Sequence, residues 1–149
     1  MPNHLFLHSG EHEALARAEC QAQNPKAQHW QTLPRACACT TKTPHYSTLA
    51  YTRQAHAILI QGTPEHVKAR MRRPRTTTKP CKIERILLNT TTPSLAQARA
   101  LLIPWLGNPT ININNPEETY ALIATTHNWY VTKKLWENHE DFTARKNQN

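Results

Sequence analysis

Lys82-Ile83-Glu84-Arg85-Ile86-Leu87-Leu88-Asn89 alternates as a two-faced strand does, with Ile83, Arg85 and Leu87 on one side and Glu84, Ile86 and Leu88 on the other. Downstream, Thr92-Pro93-Ser94 opens a helix whose stripe of Leu95, Ala98, Leu101, Leu102 and Trp105 runs to Leu106-Gly107, with Pro104 expected to kink the last turn. Thr110 to Asn114 alternates Ile111 and Ile113 with asparagines and predicts a half-buried strand, which Asn115-Pro116-Glu117 turns. Thr119 to Thr126 and Trp129 to Leu135 are two β-prone runs, predicted to form a hairpin joined by His127-Asn128, where Asn tolerates positive φ. Strand, helix, strand and hairpin therefore follow one another over the second half.

Working upstream, Thr63-Pro64-Glu65 is a helix start: a capping threonine, a proline at the first helical position, and an acid beside the positive helix end. That helix carries His66 to Met71 and stops before Pro74. From it into the strand run Lys68, Arg70, Arg72, Arg73, Arg75, Lys79, Lys82 and Arg85, the densest positive charge in the chain. Pro74 and Pro80 bracket Thr76-Thr77-Thr78, which predicts an exposed loop. Gln54 to Gln61 is core whose periodicity fits either helix or strand. Short β-prone pieces lie before it, Gln28 to Leu33, Arg35 to Thr41 and Ser47 to Thr52, separated by Pro34 and Pro44. At the start, Leu5 to His8 reads as a strand, Ser9 as a helix cap, and Glu11 to Gln23 as a helix burying Leu15, Ala18 and Ala22. Glu137 to Asn149 is a polar tail. The whole order predicts an α+β architecture with mixed sheets.

Lys and Arg number 18 against 10 Asp and Glu, a formal charge of +8, so a polyanion is the natural partner. Ala100 to Leu106, the longest strongly apolar run, is far short of the ~20 residues of a membrane helix, and Met1 to Leu7 has no signal-peptide pattern. The expectation is a cytoplasmic protein that contacts no membrane. Cys20, Cys37, Cys39 and Cys81 lack the spacing of a disulfide scaffold, so reduced thiols are expected. Cys37, Cys39, His45 and nearby His29 raise the question of zinc, but no Cys-x-x-Cys knuckle is present and no metal site is assigned. His8, His12, His45, His56 and His127 have no Asp or Ser at a telling spacing and are expected at the surface. Of the four tryptophans, Trp30 and Trp136 are open to base stacking, whereas Trp105 and Trp129 sit in apolar patterns and should pack the core.

The basic helix and loop leading into Lys82 to Leu88, the helix ending Trp105-Leu106-Gly107, and Ile111-Asn112-Ile113-Asn114-Asn115-Pro116-Glu117 before a final hairpin together resemble a THUMP domain, a module of tRNA-modifying enzymes. Phe6-Leu7-His8-Ser9-Gly10-Glu11-His12-Glu13 through Glu19 resembles the start of archaeal tRNA guanosine N2-methyltransferases, and Asp141 to Lys146 is similar to that family's exit towards its catalytic domain. The resemblance implies an N-terminal ferredoxin-like subdomain over 1–52, packed on a THUMP-type RNA-binding domain over 53–137, with 138–149 as a polar linker.

It also implies S-adenosylmethionine as methyl donor, bound by a Rossmann-like domain outside these residues. Glycines stand only at 10, 62 and 107, so there is no Gly-x-Gly-x-Gly loop, and Asn115-Pro116-Glu117 lacks the second proline and aromatic of the family's catalytic motif. No catalytic residue and no cofactor is therefore assigned to this chain. The expectation is a non-catalytic RNA-binding subunit, docking the tRNA acceptor end for a methyltransferase on another chain. Lys68, Arg70, Arg72, Arg73, Arg75, Lys79, Lys82 and Arg85 are the phosphate-contacting candidates, and Lys133 and Lys134 a possible extension. Two other readings stand beside it: an independent RNA adaptor or chaperone, and a fragment of a longer methyltransferase. For the lysines the bland alternative is protection of an edge strand, and for the cluster a merely solvated basic face.

Overall fold

The computed structural model describes residues 1–139. One seven-stranded mixed sheet carries three helices: β1 (His4–His8), α1 (Glu13–Gln23), β2 (Gln28–Leu33), β3 (Ala36–Thr40), β4 (Thr52–Gly62), α2 (Pro64–Arg70), β5 (Cys81–Leu87), α3 (Leu95–Trp105), β6 (Glu118–Ala124) and β7 (Trp129–Glu137). The strand order is β2-β3-β1-β4-β7-β6-β5. Among the strands of the described residues only β5 and β6 pair in parallel, and α3 makes the crossover between them. The α+β expectation is met, and the 54–61 segment resolves as strand. β4 is paired on both sides: Thr52 to Ala57 against β1, and Gln54 to Gly62 against β7.

The two faces of the sheet are buried differently. On one, α2 and α3 cover Ile60, Ile83, Tyr120, Leu122, Trp129 and Val131 with Val67, Met71, Ala98, Leu102, Trp105 and Leu106. On the same side α1 brings Cys20 against Phe6, Cys37, Cys39 and Ala55. Among the described residues no helix contributes to the opposite cluster, in which Leu5, Leu7 and Ala36 meet Leu88, Ala121, Ile123 and Tyr130, although Leu5, Ala121 and Ile123 are fully buried. Curling of the sheet explains this. Arg35, in the β2–β3 turn, donates from Nη2 to the carbonyls of Leu87 (2.8 Å) and Leu88 (3.2 Å), tying the second strand position to the seventh across the helix-free face.

Helix starts follow their local chemistry. Thr63 Oγ1 accepts from His66 N (3.3 Å) with Pro64 in the first turn. Ser94 and Gln97 form a reciprocal box, Gln97 N donating to Ser94 Oγ (3.1 Å) and Ser94 N to Gln97 Oε1 (2.8 Å).

Four local expectations need correction. The first helix starts at Glu13 with no side-chain cap, and it buries Ala16 and Cys20; Leu15 is 54 % exposed, and Ala18 and Ala22 face outward. Small residues at 16 and 20 allow close approach to the sheet, and Glu19 holds the register by accepting from Ala50 N and Tyr51 N. Those same bonds explain why Ser47 to Tyr51 turns instead of pairing as a strand: its backbone donors go to a helix carboxylate. Thr110 to Asn114 contributes only the bridge Cys81–Ile111, because Asn112 Oδ1 accepts from Asn114 N and Asn115 N and bends the chain, leaving Ile113 65 % exposed. The last hairpin closes between Thr125 and Asn128, with Thr125 N donating to Asn128 O and Asn128 N to Thr125 Oγ1, so no positive φ is required at Asn128. The sequence from Asp141 onward, including the resemblance to a domain exit, lies outside the described residues.

Candidate nucleic-acid interface

The loop between α2 and β5 is held rigid by the end of α3. A helix leaves its last carbonyls without partners, and here Arg75 N and Thr76 N donate to Trp105 O (2.9 and 3.3 Å) and Thr77 N to Leu106 O (2.9 Å). Trp105 Nε1 donates back to Arg73 O at 3.0 Å. Further along, Thr77 Oγ1 donates to Glu118 Oε1, and Glu117 N to Pro80 O. The backbone is thereby fixed while its basic side chains face solvent.

Arg70, Arg73 and Arg75 line one cleft of about 530 Å³, floored by Ile60 and Trp105. Arg72 and Lys79 are exposed on the same loop. Among the described residues, none of these five cations forms an ion pair with a carboxylate. The Arg75 guanidinium stands 5.9 Å from the centre of the Tyr120 ring and the Lys68 ammonium 5.4 Å from that of Trp129, contacts that orient the charges without neutralising them. Lys68 and Arg70, in the last turn of α2, also complement its negative end.

The other candidates part company with this cluster. Lys133 pairs with Glu118 at 2.8 Å; that lysine and the Thr77 hydroxyl hold the Glu118 carboxyl down to about 2. Lys134, only 14 % exposed, lies between Glu84 (2.9 Å) and Glu137 (3.3 Å), and Lys82 stands 3.6 Å from the same Glu84 oxygen. The idea that Lys133 and Lys134 guard a sheet edge is overturned, since β7 lies between β4 and β6. Arg85 is exposed near the far end of β5, its Nη1 3.5 Å from Pro93 O. Arg35, at the start of one β-prone piece, and Arg53, between two others, carried no local pattern that would single them out.

Histidines bring a second correction. His8 and His56 are buried, at 3 % and 0 % exposure, not at the surface. His56 Nδ1 lies 2.8 Å from Thr132 Oγ1 and Nε2 2.8 Å from Gln54 Oε1, while Gln54 Nε2 donates to Glu137 Oε1 at 2.9 Å. The amide oxygen can only accept, so the proton sits on Nε2 and Thr132 donates to Nδ1. Burial first, and then the Lys134 charge, push the His56 ring down to about 3; burial, then Arg17, push His8 to about 4. Both are neutral at physiological pH and belong to the core.

The thiols are buried too. Cys37 lies beside Cys20, and the hydrogen bond between them together with burial raises the Cys37 thiol far above its ordinary range; burial raises Cys39 to about 12. These are not nucleophiles near neutral pH. His45 is exposed, and among the described residues no group of three or more His, Cys, Asp or Glu side chains is placed to hold a metal ion. Trp105 and Trp129 pack the core as expected; Trp136 is half-buried against Tyr46, 5.8 Å between ring centres. Among the described residues, no helix is long and apolar enough to cross a membrane.

No protein-family model matches the chain, and no curated protein matches it in sequence. Solved structures do match in fold. TrmN from Thermus thermophilus superposes with a TM-score of 0.63 at 12 % identity, over 91 % of this chain and 45 % of that one. PH1313 from Pyrococcus horikoshii gives 0.58 at 8 % identity, over 92 % and 56 %. A 4-thiouridine synthetase, solved as an RNA complex with bound ATP, gives 0.52 at 7 % identity, over 91 % and 41 %. The chain thus spans about half the length of the structures it matches, and its architecture is a THUMP-like fold.

Proposed function

We propose that this chain is the tRNA-binding module of a tRNA-modifying system, with residues 1–52 as its N-terminal subdomain and methyl transfer to guanine N2 carried out by a catalytic methyltransferase domain on another chain. The observation that carries the reading is the set of guanidinium groups Arg70, Arg72, Arg73 and Arg75, free of carboxylate partners among the described residues and mounted on a loop pinned to α3. Guanidinium groups match phosphate oxygens in fork geometry, and contacts of this kind fix position while carrying no base sequence. A module built this way measures shape and distance, as suits the acceptor end of tRNA. S-adenosylmethionine would be bound by the partner. The likeness to TrmN and to the 4-thiouridine synthetase solved with RNA supports the reading.

Binding of whole tRNA as a function of salt tests it. With about five phosphates neutralised, log affinity should fall against log salt with a slope near −4. A flat response overturns the proposal. Removing the unpaired 3′ end should weaken binding if the acceptor end is the docking site. Adding the chain to its catalytic partner should raise methyl transfer, whereas a catalytic chain equally active alone removes the subunit role. A native complex containing RNA but no methyltransferase would make the protein an adaptor.

A further inference from the structure

A second pocket, of about 320 Å³, opens where the curled sheet nearly closes, between the C-terminal half of β5 and the ends of β1 and β4. Arg35, Arg53 and Arg85 line it together with the aliphatic side chains of Leu7, Ile86 and Leu88, and among the described residues no Asp or Glu lines it. The arginines come from three separate places: the β2–β3 turn, the second residue of β4, and β5. None of the three forms an ion pair among the described residues. Arg35 is built into position. Its backbone takes the left-handed region (φ 55°), unusual for a residue other than glycine, and its Nη2 is fixed by the carbonyls of Leu87 and Leu88. Binding neutral carbonyls leaves the full positive charge in place, with the other guanidinium nitrogens available. Arg53 makes no side-chain hydrogen bond among the described residues, although it sits at the pocket.

We propose that Arg35, Arg53 and Arg85 form a second phosphate-binding pocket, and that its occupant is a phosphate of the same RNA held by the α2–β5 loop. The inference rests on the RNA-binding function proposed above. Arginines from three separate elements lining one pocket favour an oxyanion, and an aliphatic floor favours a phosphate ester, whose sugar covers apolar surface, over a bare ion. The spacing adds a further constraint. The basic loop ends at the first residue of β5 and the pocket lies at its last, so the seven residues of that strand separate the two by about 20 Å. Two phosphate grips at the ends of one rigid strand form a gauge, which admits only an RNA presenting two backbone points at that separation.

The test uses the full chain and fluorescence anisotropy with tRNA over a range of salt, comparing Arg53→Gln, which breaks no side-chain bond among the described residues, with Arg72→Gln in the loop. Arg53→Gln should weaken tRNA binding about tenfold and lower the magnitude of the log–log salt slope by about one, as loss of one phosphate contact does. Wild-type affinity and slope in Arg53→Gln, with Arg72→Gln weakened, overturn the pocket and leave the RNA-binding reading standing. Salt-independent binding by the wild-type chain overturns both. NMR of the Arg53 Nε–H distinguishes the source of the phosphate: a saturable shift with tRNA, weaker with a nucleoside 5′-monophosphate and weaker again with inorganic phosphate, is expected. A shift with inorganic phosphate and none with tRNA overturns the RNA occupant. Arg35→Lys is a second variant, keeping charge but losing the two-carbonyl grip; it should widen the pocket and reduce tRNA affinity without flattening the slope.

Discussion

The two faces of this sheet reach the same degree of burial by different means. Under α2 and α3, large apolar side chains interlock, and stability there follows the area and fit of that packing. The helix-free face is closed by curvature, by the Arg35 strut, and by a line of polar groups running from Thr132 through His56, Gln54 and Glu137 to Lys134 and Glu84. The first face tolerates no cavity. The second tolerates no unpaired group.

Truncation separates these behaviours most sharply. Leu102→Ala, at a fully buried position under α3, should cost about 2–5 kcal/mol in a denaturant titration, the range for a core cavity. If it costs under 1 kcal/mol, the helix face is not packed as described. Lys134→Ala on the other face should cost about 1–3 kcal/mol by stranding Glu84 and Glu137, although Lys82 remains near Glu84. Lys134→Met, which removes the charge but keeps the bulk, should not recover that loss at neutral pH, because it returns no cation between Glu84 and Glu137.

Acid tests the buried polar groups of both faces. The rings of His56 (about 3) and His8 (about 4) bind a proton less readily in the fold than their ordinary 6.5. Folding is therefore at full strength above pH 6.5 and weakens as pH falls below it. Each ring contributes a slope of up to about 1.4 kcal/mol per pH unit until it titrates in the fold. Glu118 acts lower, its contribution being lost from about pH 4.5 towards 2. Chemical denaturation between pH 6.5 and 4.5 thus isolates the histidines, and His8→Asn should reduce the slope there; a flat profile in that window would contradict their burial. The smallest effect expected is at Ser94→Ala, about 1 kcal/mol for loss of a reciprocal cap, read as a shift in the denaturation midpoint.

How far the sequence disclosed this architecture follows the range of the interactions involved. α2 and α3 were legible because their caps and stripes are written in adjacent residues: Thr63-Pro64, Ser94 with Gln97, and Ala98-Leu102-Trp105. β5 was legible from its alternation. The buried face of α1 was not, because which of Leu15 or Ala16 turns inward depends on a sheet assembled from residues up to 55. His8 and His56 were misplaced for the same reason: Thr132 is 76 residues from the ring it satisfies. At the candidate interface the charge run itself was plain, but Lys82, Lys133 and Lys134 meet their carboxylates only through strand register, so counting cations overstated the free charge. Arg35 and Arg53 carried no signal beyond being arginines.

The position of β7 has a consequence for how the chain assembles. Although it is the last strand of the described residues, it lies between β4 and β6, joining a block made of β2, β3, β1 and β4 to one made of β6 and β5. Until residue 137 has emerged these blocks share no ladder, and each presents a raw edge. Insertion of that strand seals both edges in one event, so the nascent protein gains its single continuous sheet, and with it the closure of the helix-free side, only once that strand is in place.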